Sequence, residues 1–224
     1  VHKSKEQVAE LFSNLAGEAI PAEATALNAF ARKTLREKFL RADMGITGVN
    51  FAVAETGSVV IVTNEGNGRL CTSAPRIHVA VMGAEKVIPT LDDLAVLLSL
   101  LTRSATGQKI SVYVSLLSGP RRAGDCDGPE QFHLVIIDNG RSKLYGTEFQ
   151  EMLNCVRCGA CLNVCPVYKC VGGHAYGAIL PGPMGSVLMP ALGGVNEFGE
   201  LAQASSLCGA CRDACPVLID IPRM

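Results

Sequence analysis

Two cysteine-rich runs near the end of the chain constrain its structure more than any other feature of the sequence. The first run has three cysteines at steps of three and a fourth one four residues later: Cys155, Cys158, Cys161 and Cys165. The second run repeats the end of this pattern: Cys208, Cys211 and Cys215. A proline directly follows the last cysteine of each run. Three thiols at steps of three line one tight turn while the fourth points away, so this region must fold around whatever the thiols bind.

This spacing is the one with which bacterial ferredoxins bind two iron–sulfur clusters, and there the fourth cysteine ligates the other cluster. The first cluster is therefore predicted to have four ligands: Cys155, Cys158, Cys161 and Cys215. The second cluster is predicted to have three ligands from the same two runs: Cys165, Cys208 and Cys211. The sequence thus indicates an iron–sulfur electron carrier with two 4Fe-4S clusters.

The fourth ligand of the second cluster stays open. Counting back three residues from Cys208 gives Ser205, so the second run lacks its first cysteine. Cys170, five residues beyond Cys165, is the only other cysteine in this part of the chain and is one candidate. The alternatives are that Ser205 is the ligand, that a partner supplies it, or that the site holds a three-iron cluster or none.

Zinc and disulfide bonds are the other uses of cysteines at such spacings. A structural zinc ribbon pairs two C-x-x-C units and does not require a third cysteine at the next step of three. Disulfide frameworks belong to oxidising compartments, and the sequence shows no signal peptide. Ten cysteines without such a signal indicate a cytoplasmic protein whose thiols stay reduced.

Length and charge limit the remaining classes of function. A chain of 224 residues is long enough for one good core and a smaller lobe. Its formal net charge of −1 indicates neither nucleic acid nor an anionic membrane surface as a partner. The chain begins with Val1 rather than Met and stops at Met224, shortly after the second run. We therefore expect a fragment that is truncated at both ends.

The first 147 residues alternate between helical and strand patterns. Helices are predicted over residues 4–16 and from Pro21 to about Gly45, and Thr90 is predicted to cap a third helix with five buried leucines. Those leucines are Leu91, Leu94, Leu97, Leu98 and Leu101. Strands are predicted over residues 51–54, 58–63, 78–82, 110–117 and 132–137. The alternation predicts an α/β domain over residues 1–147.

Two polar loop regions of this domain are candidates for binding a small anion. Residues 44–48 and 64–69 are predicted to be glycine-containing loops, and residues 103–108 end a helix. Their candidate ligand-binding residues are Asn67, Arg69, Arg103 and Thr106. No G-x-G-x-x-G or P-loop motif is present, so no motif supports nucleotide binding. Cys71, His78 and Cys126 are isolated and are interpreted as structural.

Residues 148–224 are predicted to form a small, separate lobe. Residues 170–196 carry no charged side chain, yet their glycines and three prolines argue against a membrane-spanning helix. The segment either wraps the clusters and excludes water or docks a partner. A lobe this rich in glycine buries too little apolar surface to fold alone, so we expect its metal-free form to be largely disordered.

Five stretches of the sequence together resemble a known family. They are GITGVNFAVAETG at 45–57, NEGNGR at 64–69, RSATGQ at 103–108, GGHAYG at 172–177 and SSLCGAC at 205–211. Nearly the whole chain resembles the lactate utilisation protein B family, the iron–sulfur subunits of bacterial L-lactate oxidation complexes. The Ser205 position is similar to the family pattern, whereas Cys170 departs from it.

This resemblance implies a fold, a function and partners. The implied fold is an α/β LUD domain, similar to sugar isomerases and CoA-transferases, followed by a small α-helical ferredoxin-type domain. The implied function is electron transfer during oxidation of L-lactate to pyruvate. The implied partners are a subunit rich in cysteine motifs and a second LUD-domain subunit.

Two other functions are compatible with the same residues. The LUD domain would itself bind and oxidise a small anionic substrate with the clusters as acceptor, or the protein would be a redox sensor with a labile second cluster. No residue stands out as a catalytic base; His174 is the best candidate, and a structural role fits it better. Three cations beside the cysteine runs would favour a reduced cluster, or would be ordinary surface charges: Arg157, Lys169 and Arg212.

Overall fold

In the computed structural model, which describes residues 3–224, the chain forms nine α-helices and seven β-strands within that range. The helices are α1 Lys5–Ala16, α2 Ala24–Arg41, α3 Asn67–Ser73, α4 Leu91–Thr106, α5 Ala160–Val164, α6 Pro166–Val171, α7 Gly182–Gly193, α8 Val195–Phe198 and α9 Ala210–Asp213. The strands are β1 Met44–Gly48, β2 Phe51–Val53, β3 Ser58–Thr63, β4 Ile77–Gly83, β5 Val87–Ile88, β6 Tyr113–Leu117 and β7 Gln131–Ile137. Short 3-10 helices cover Ala84–Lys86, Arg141–Leu144, Gln150–Asn154, His174–Tyr176 and Gly199–Gln203.

The strands form two sheets. One sheet has three strands in the order β1-β4-β7, and the other has four in the order β5-β2-β3-β6. In the four-stranded sheet, β2 and β3 form the predicted hairpin with Phe51 opposite Val60, and β3 pairs antiparallel with β6. Strand β5 is parallel to β2. The predicted α/β alternation is thus confirmed, and every described strand residue lies before residue 138.

The described residues fall into two compact units that do not follow the linear order of the chain. One unit comprises residues 3–47, 69–79 and 120–133, and the other comprises residues 48–68, 80–119 and 134–224. The second unit therefore contains the four-stranded sheet, α4 and the whole C-terminal helical region. The predicted division at residues 147 and 148 stays a prediction.

Local signals explain where the first helices begin and end. Ser4 and Gln7 form a capping box at the start of α1, and Gly17 ends the helix with a left-handed φ of 75°. Both ends agree with the prediction. Helix α2 begins at Ala24 rather than at Pro21, and the rings of Phe12 and Phe30 pack with their centroids 4.9 Å apart.

Helix α4 packs against the four-stranded sheet as its leucine pattern predicts. Thr90 and Asp93 form the capping box at its start. Leu94 and Leu101 are buried in one core with Phe51 and other residues of the sheet. Leu91 was predicted to be buried but is 42% exposed, because the first turn of the helix extends beyond that core.

Three local predictions were wrong. Residues 44–48 were predicted to be a loop but form β1; Gly45 is needed there because a Cβ would collide with the carbonyl oxygen of Cys71. Residues 67–69 were also predicted to be a loop but begin α3, where the Asn67 side chain accepts a hydrogen bond from the Gly68 N–H. The predicted strand over 110–117 begins only at Tyr113. Turn residues misled the interpretation because they also occur at strand ends and helix starts.

The C-terminal part has its own apolar core within the second unit. Seven buried residues form it: Leu144, Met152, Leu153, Met184, Leu188, Ile219 and Ile221. Two of them lie on α7, which forms in the uncharged segment although Pro190 lies inside the helix. No helix within residues 3–224 is both long enough and apolar enough to cross a membrane.

Candidate iron–sulfur centres

A cavity of about 390 Å³ is lined by four cysteines from both runs. These are Cys155, Cys158, Cys161 and Cys215, the set that spacing alone predicts for the first cluster. The remaining lining is largely apolar and includes Val156, Leu162, Leu180 and Met184. We call this space the first cavity. Four thiols around one largely apolar space are a donor set that suits a four-iron cluster.

The backbone of the first run turns tightly around this cavity. Cys155 follows the 3-10 helix Gln150–Asn154. Arg157 and Gly159 then have φ angles of +62° and +81°, and α5 begins at the next residue. A left-handed φ is strained for arginine, so the loop is held in this form by its surroundings. These two turns bring thiols at steps of three to one side of the chain.

A second cavity of about 410 Å³ is lined by the other three predicted ligands, Cys165, Cys208 and Cys211. Cys165 is buried and caps α6, its Sγ accepting a hydrogen bond from the Tyr168 N–H at 3.4 Å. Cys208 is exposed. Gly209, with a φ of 84°, then leads into α9. We call this space the second cavity.

The last cysteine of each run lines the cavity of the other run. Cys165 follows the first run but lines the second cavity, and Cys215 follows the second run but lines the first. The Sγ of Cys215 accepts a hydrogen bond from the Ile219 N–H at 3.4 Å, as the Sγ of Cys165 does from Tyr168. The placement agrees with the crossed arrangement expected of a two-cluster protein; the assignment of ligands stays a prediction.

The second cavity has no fourth cysteine in its lining. Cys170 is exposed and lies outside the lining of both cavities. Ser205 does line the second cavity, and its Oγ accepts a hydrogen bond from the Leu207 N–H at 3.2 Å. Among the candidates within the described chain, the geometry therefore favours Ser205 over Cys170.

Burial controls the acidity of the thiols. It raises the pKa of Cys161 to about 11, and it also raises the pKa of Cys158 and of Cys211. The pKa of Cys208 is instead lowered, chiefly by a hydrogen bond with the Ser206 side chain. Thiols must lose their protons to ligate iron, so cluster assembly in the first cavity has to displace protons from buried groups.

A buried ionic cluster lies beside the first cavity. The carboxylate of Glu85, whose side chain is 5% exposed, lies 2.6 Å from Arg141 Nε and 3.7 Å from Arg157 Nη2. The neighbouring Lys86 donates a hydrogen bond to the carbonyl oxygen of Cys155 at 3.1 Å. The pKa of Lys86 is lowered, mainly by burial and next by Arg157. The cysteine loop is thus held by two consecutive residues that precede β5.

The thiols that line the two cavities are a donor set that suits iron–sulfur clusters. Within residues 3–224, no three His, Cys, Asp or Glu side chains are close enough together to hold one metal ion. A cubane places irons and sulfides between its thiolate ligands, so these ligands stand further apart than around a single ion.

The candidate substrate loops do not form a buried site. Asn67, Arg69, Arg103 and Thr106 are all exposed. Arg103 donates to the carbonyl oxygen of Ser99, and Thr106 donates to Thr102 and to the Gln108 side chain. These are local contacts that stabilise the end of α4. His174 is exposed and lies outside the lining of both cavities.

Sequence reasoning missed two residues beside the cavities. Glu85 lies in a short charged stretch that has no motif, so no local signal connects it to a cysteine loop about seventy residues later. Ser186 lies in the uncharged segment, lines the second cavity and is 6% exposed. Its hydroxyl has no hydrogen-bond partner among the described residues.

Comparison with known proteins finds a matching domain family for each of the two parts of the chain. The family model of the LUD domain matches residues 1–137, and that of the 4Fe-4S dicluster domain matches residues 151–219. A lactate utilization protein B of Shouchella clausii (strain KSM-K16) is 58% identical over 221 residues, and one of Bacillus licheniformis (strain ATCC 14580) is 55% identical over the same length.

These matches cover 99% of this chain but 46% of each relative, so the chain spans about half the length of the curated relatives it matches. A crystal structure of a DUF162 family protein from Deinococcus radiodurans is 20% identical and covers 45% of this chain and 56% of that one. Its TM-score of 0.34 is too low to carry an argument. The two matched domains and the seven cysteines around the two cavities lead to one conclusion: the chain belongs to the LUD domain family, with an iron–sulfur dicluster domain following the LUD domain.

Proposed function

We propose that this chain is an electron-transfer subunit of a complex that oxidises L-lactate to pyruvate. The observation that carries the proposal is the crossed placement of the cysteines, four around one cavity and three around the other. The name of the relatives, lactate utilization protein B, supports lactate as the source of electrons. A cytoplasmic location belongs to the same proposal, because ten unpaired cysteines suit a reducing compartment.

The number of clusters matches the number of electrons. Oxidation of one lactate releases two electrons and two protons, and an iron–sulfur cluster supplies a site that accepts one electron at a time. We infer a 4Fe-4S cluster held by the four cysteines of the first cavity. The second cluster is held by three cysteines and lies next to Ser205. It is a second 4Fe-4S cluster if Ser205 or another group completes it, and a 3Fe-4S cluster otherwise.

The residues of the chain hold the clusters, order the thiolates and exclude water. Val156, Leu162 and Met184 supply apolar walls at the first cavity. The amide N–H groups of Tyr168 and Ile219 donate to the thiols of Cys165 and Cys215, and such bonds favour the reduced state of a cluster. The proposed partners are a subunit rich in cysteine motifs and a second LUD-domain subunit.

Anaerobic purification followed by iron and sulfide analysis and electron paramagnetic resonance tests the first part of this proposal. We expect two distinct signals on stepwise reduction. A protein that stays colourless and free of iron after reconstitution would contradict the cluster assignment itself.

Lactate addition tests the second part. We expect lactate to bleach the visible absorption of the clusters only when the partner subunits are present. Bleaching of the isolated subunit would instead favour oxidation of the substrate by its own LUD domain. No bleaching even in the assembled complex would contradict the role in lactate oxidation while leaving the clusters in place.

A further inference from the structure

We propose that Glu85 sets the reduction potential of the first cluster by partly neutralising the positive charge of Arg157. This inference rests on the proposed binding of a cluster in the first cavity. Glu85 belongs to the part of the chain that matches the LUD domain, and Arg157 belongs to the part that matches the dicluster domain. The electron affinity of the cluster would then depend on a residue outside the cysteine runs.

The carboxylate of Glu85 is buried and lies between two guanidinium groups. One oxygen is 2.6 Å from Arg141 Nε, and the other is 3.7 Å from Arg157 Nη2. The oxygen facing Arg141 has no hydrogen bond of good geometry within the described residues, so this contact is chiefly ionic. An ionised carboxylate in such a place requires its cationic partners, because an unpaired buried charge costs several kcal/mol.

Arg157 connects this carboxylate to the wall of the first cavity. It lies between Cys155 and Cys158 and lines the cavity itself. Its Nη1 lies 3.0 Å from the Sδ of Met184, which is also part of the wall. The guanidinium is therefore held from two sides, by Met184 and by Glu85.

Lys86 lies beside Glu85 on the 3-10 helix Ala84–Lys86 and makes a second contact with the first cysteine loop. Its ammonium group donates to the carbonyl oxygen of Cys155, two residues before Arg157. Glu85 and Lys86 therefore fix the loop at both ends of its first turn. The two arginines outnumber the one carboxylate, so this ionic cluster is positive even without the lysine.

The sign of the expected effect follows from charge. A cluster with four thiolate ligands is an anion and becomes more negative on reduction, so a nearby cation favours the reduced form. Removing the negative charge of Glu85 should raise the potential, and removing the positive charge of Arg157 should lower it. A carboxylate that served only to fix the loop would not give shifts of opposite sign.

The experiment is an anaerobic redox titration of the full chain, loaded with iron and followed by electron paramagnetic resonance. We expect Glu85→Gln to raise the midpoint of the first cluster and Arg157→Gln to lower it, each by about tenfold in electron affinity, or ~59 mV for a one-electron couple. Arg157→Lys should keep the wild-type midpoint because it keeps the charge. The midpoint of the second cluster should stay unchanged in all three variants.

Glu130 offers a matched control. Its carboxylate also contacts two arginines, Arg76 at 3.1 Å and Arg121 at 2.9 Å, but its side chain is 41% exposed and is screened by water. Glu130→Gln should leave both midpoints unchanged. An equal shift in this variant would show a general effect of charge rather than a role of Glu85.

Each outcome decides the inference. Variants that hold both clusters but shift the first midpoint in the same direction, or not at all, overturn it. If Glu85→Gln cannot hold iron, Glu85→Asp decides, because it keeps the carboxylate but withdraws it from Arg157: a midpoint above the wild-type value supports the inference, and an unchanged midpoint refutes it. A wild-type chain without iron overturns the proposed function together with the inference, whereas unchanged midpoints in loaded variants overturn the inference alone.

Discussion

The two cavities differ in their ligands and in what surrounds them. Four cysteines line the first, and three cysteines with Ser205 line the second. Val156 of the first cavity is buried in the same core as the four-stranded sheet, and Cys158 and Val217 pack against that core. The second cavity has Val195 and Leu207 in its wall, which are 73% and 70% exposed. The first site is therefore continuous with the core of the sheet, whereas the second has exposed side chains in part of its wall.

This difference teaches that similar cysteine spacing does not give equivalent sites. The packing of Cys158 and Val217 makes the sheet and the first cavity one continuous apolar region. The walls of the second cavity come from α7, α8 and the segment before α9. We expect the first cluster to have a larger share in stability and the second to be more accessible to oxidants and chelators.

Iron removal should produce the largest effect. Without a cluster, four partly buried thiols are left around a cavity of about 390 Å³, and such sites couple metal binding to folding. We expect α5, α6 and α9 to lose their protection against hydrogen exchange when iron is chelated anaerobically. Helix α4 should stay protected because it has its own buried contacts with the sheet.

Hydrogen exchange of the full chain, followed by mass spectrometry with and without iron, measures the protection of each helix. Helix α1 is the internal control, because its packing does not involve the cavities. Retained protection of α5 and α9 in the iron-free protein would show that the apolar core around Met152 and Leu188 folds by itself, contrary to the prediction of a largely disordered metal-free lobe.

Loss of a single ligand should separate the two sites. We expect Cys158→Ala to remove the signals of both clusters, because the chain from the first turn to Cys165 depends on the first site. Cys208→Ala should remove only the signal of the second cluster, because the exposed thiol does not support the first cavity. Iron content and electron paramagnetic resonance measure both results.

Cys170→Ala is the matched control for this pair, since Cys170 is exposed and lies outside both linings. It should keep both signals. Loss of the second signal in this variant would make Cys170 the missing ligand and would reverse the preference for Ser205. Loss of the first cluster alone in Cys158→Ala would mean that the two sites are independent.

Within the first run, the spacing indicates which three thiols lie on one side of the chain, because this part of the pattern is local. Steps of three with Arg157 and Gly159 in left-handed turns determine which thiols share a side. The hairpin and the Thr90 cap of α4 were predicted for the same reason: the turn and cap residues stand next to the elements they define.

Other features could not be predicted because they depend on residues far apart in the sequence. Glu85 pairs with Arg141 and Arg157, 56 and 72 residues later, and no periodicity reveals such a contact. Helix α7 forms in a stretch with many glycines and prolines because Pro183 stands in its first turn, where proline is favoured. Gly185 permits its close approach to the carbonyl oxygen of Leu180. Composition alone conceals these positional roles.

Adding a fourth thiol to the second site should slow the loss of iron from the second cluster, an effect smaller than those of removing iron or a ligand. Ser205→Cys places a fourth thiol in the position that the spacing of the first run specifies, and the residue already lines the second cavity. We expect the second cluster to lose iron to a chelator about tenfold more slowly, while the first cluster is unaffected. Ala204→Cys, one residue earlier along the same wall, is the control. Equal protection by both substitutions would mean that any added thiol is sufficient.

The smallest expected effect concerns the walls rather than the ligands. Val156 is 8% exposed and packs in the core of the sheet, so Val156→Ala should lower the free energy of unfolding by about 2 kcal/mol through lost burial and the void left behind. Val195 lines the second cavity but is 73% exposed. Val195→Ala should therefore change the free energy of unfolding by less than about 0.5 kcal/mol. Anaerobic urea unfolding of the iron-loaded variants measures both. Similar losses for the two valines would mean that the second cavity is also covered in solution, and the contrast between a core site and a surface site would then fail.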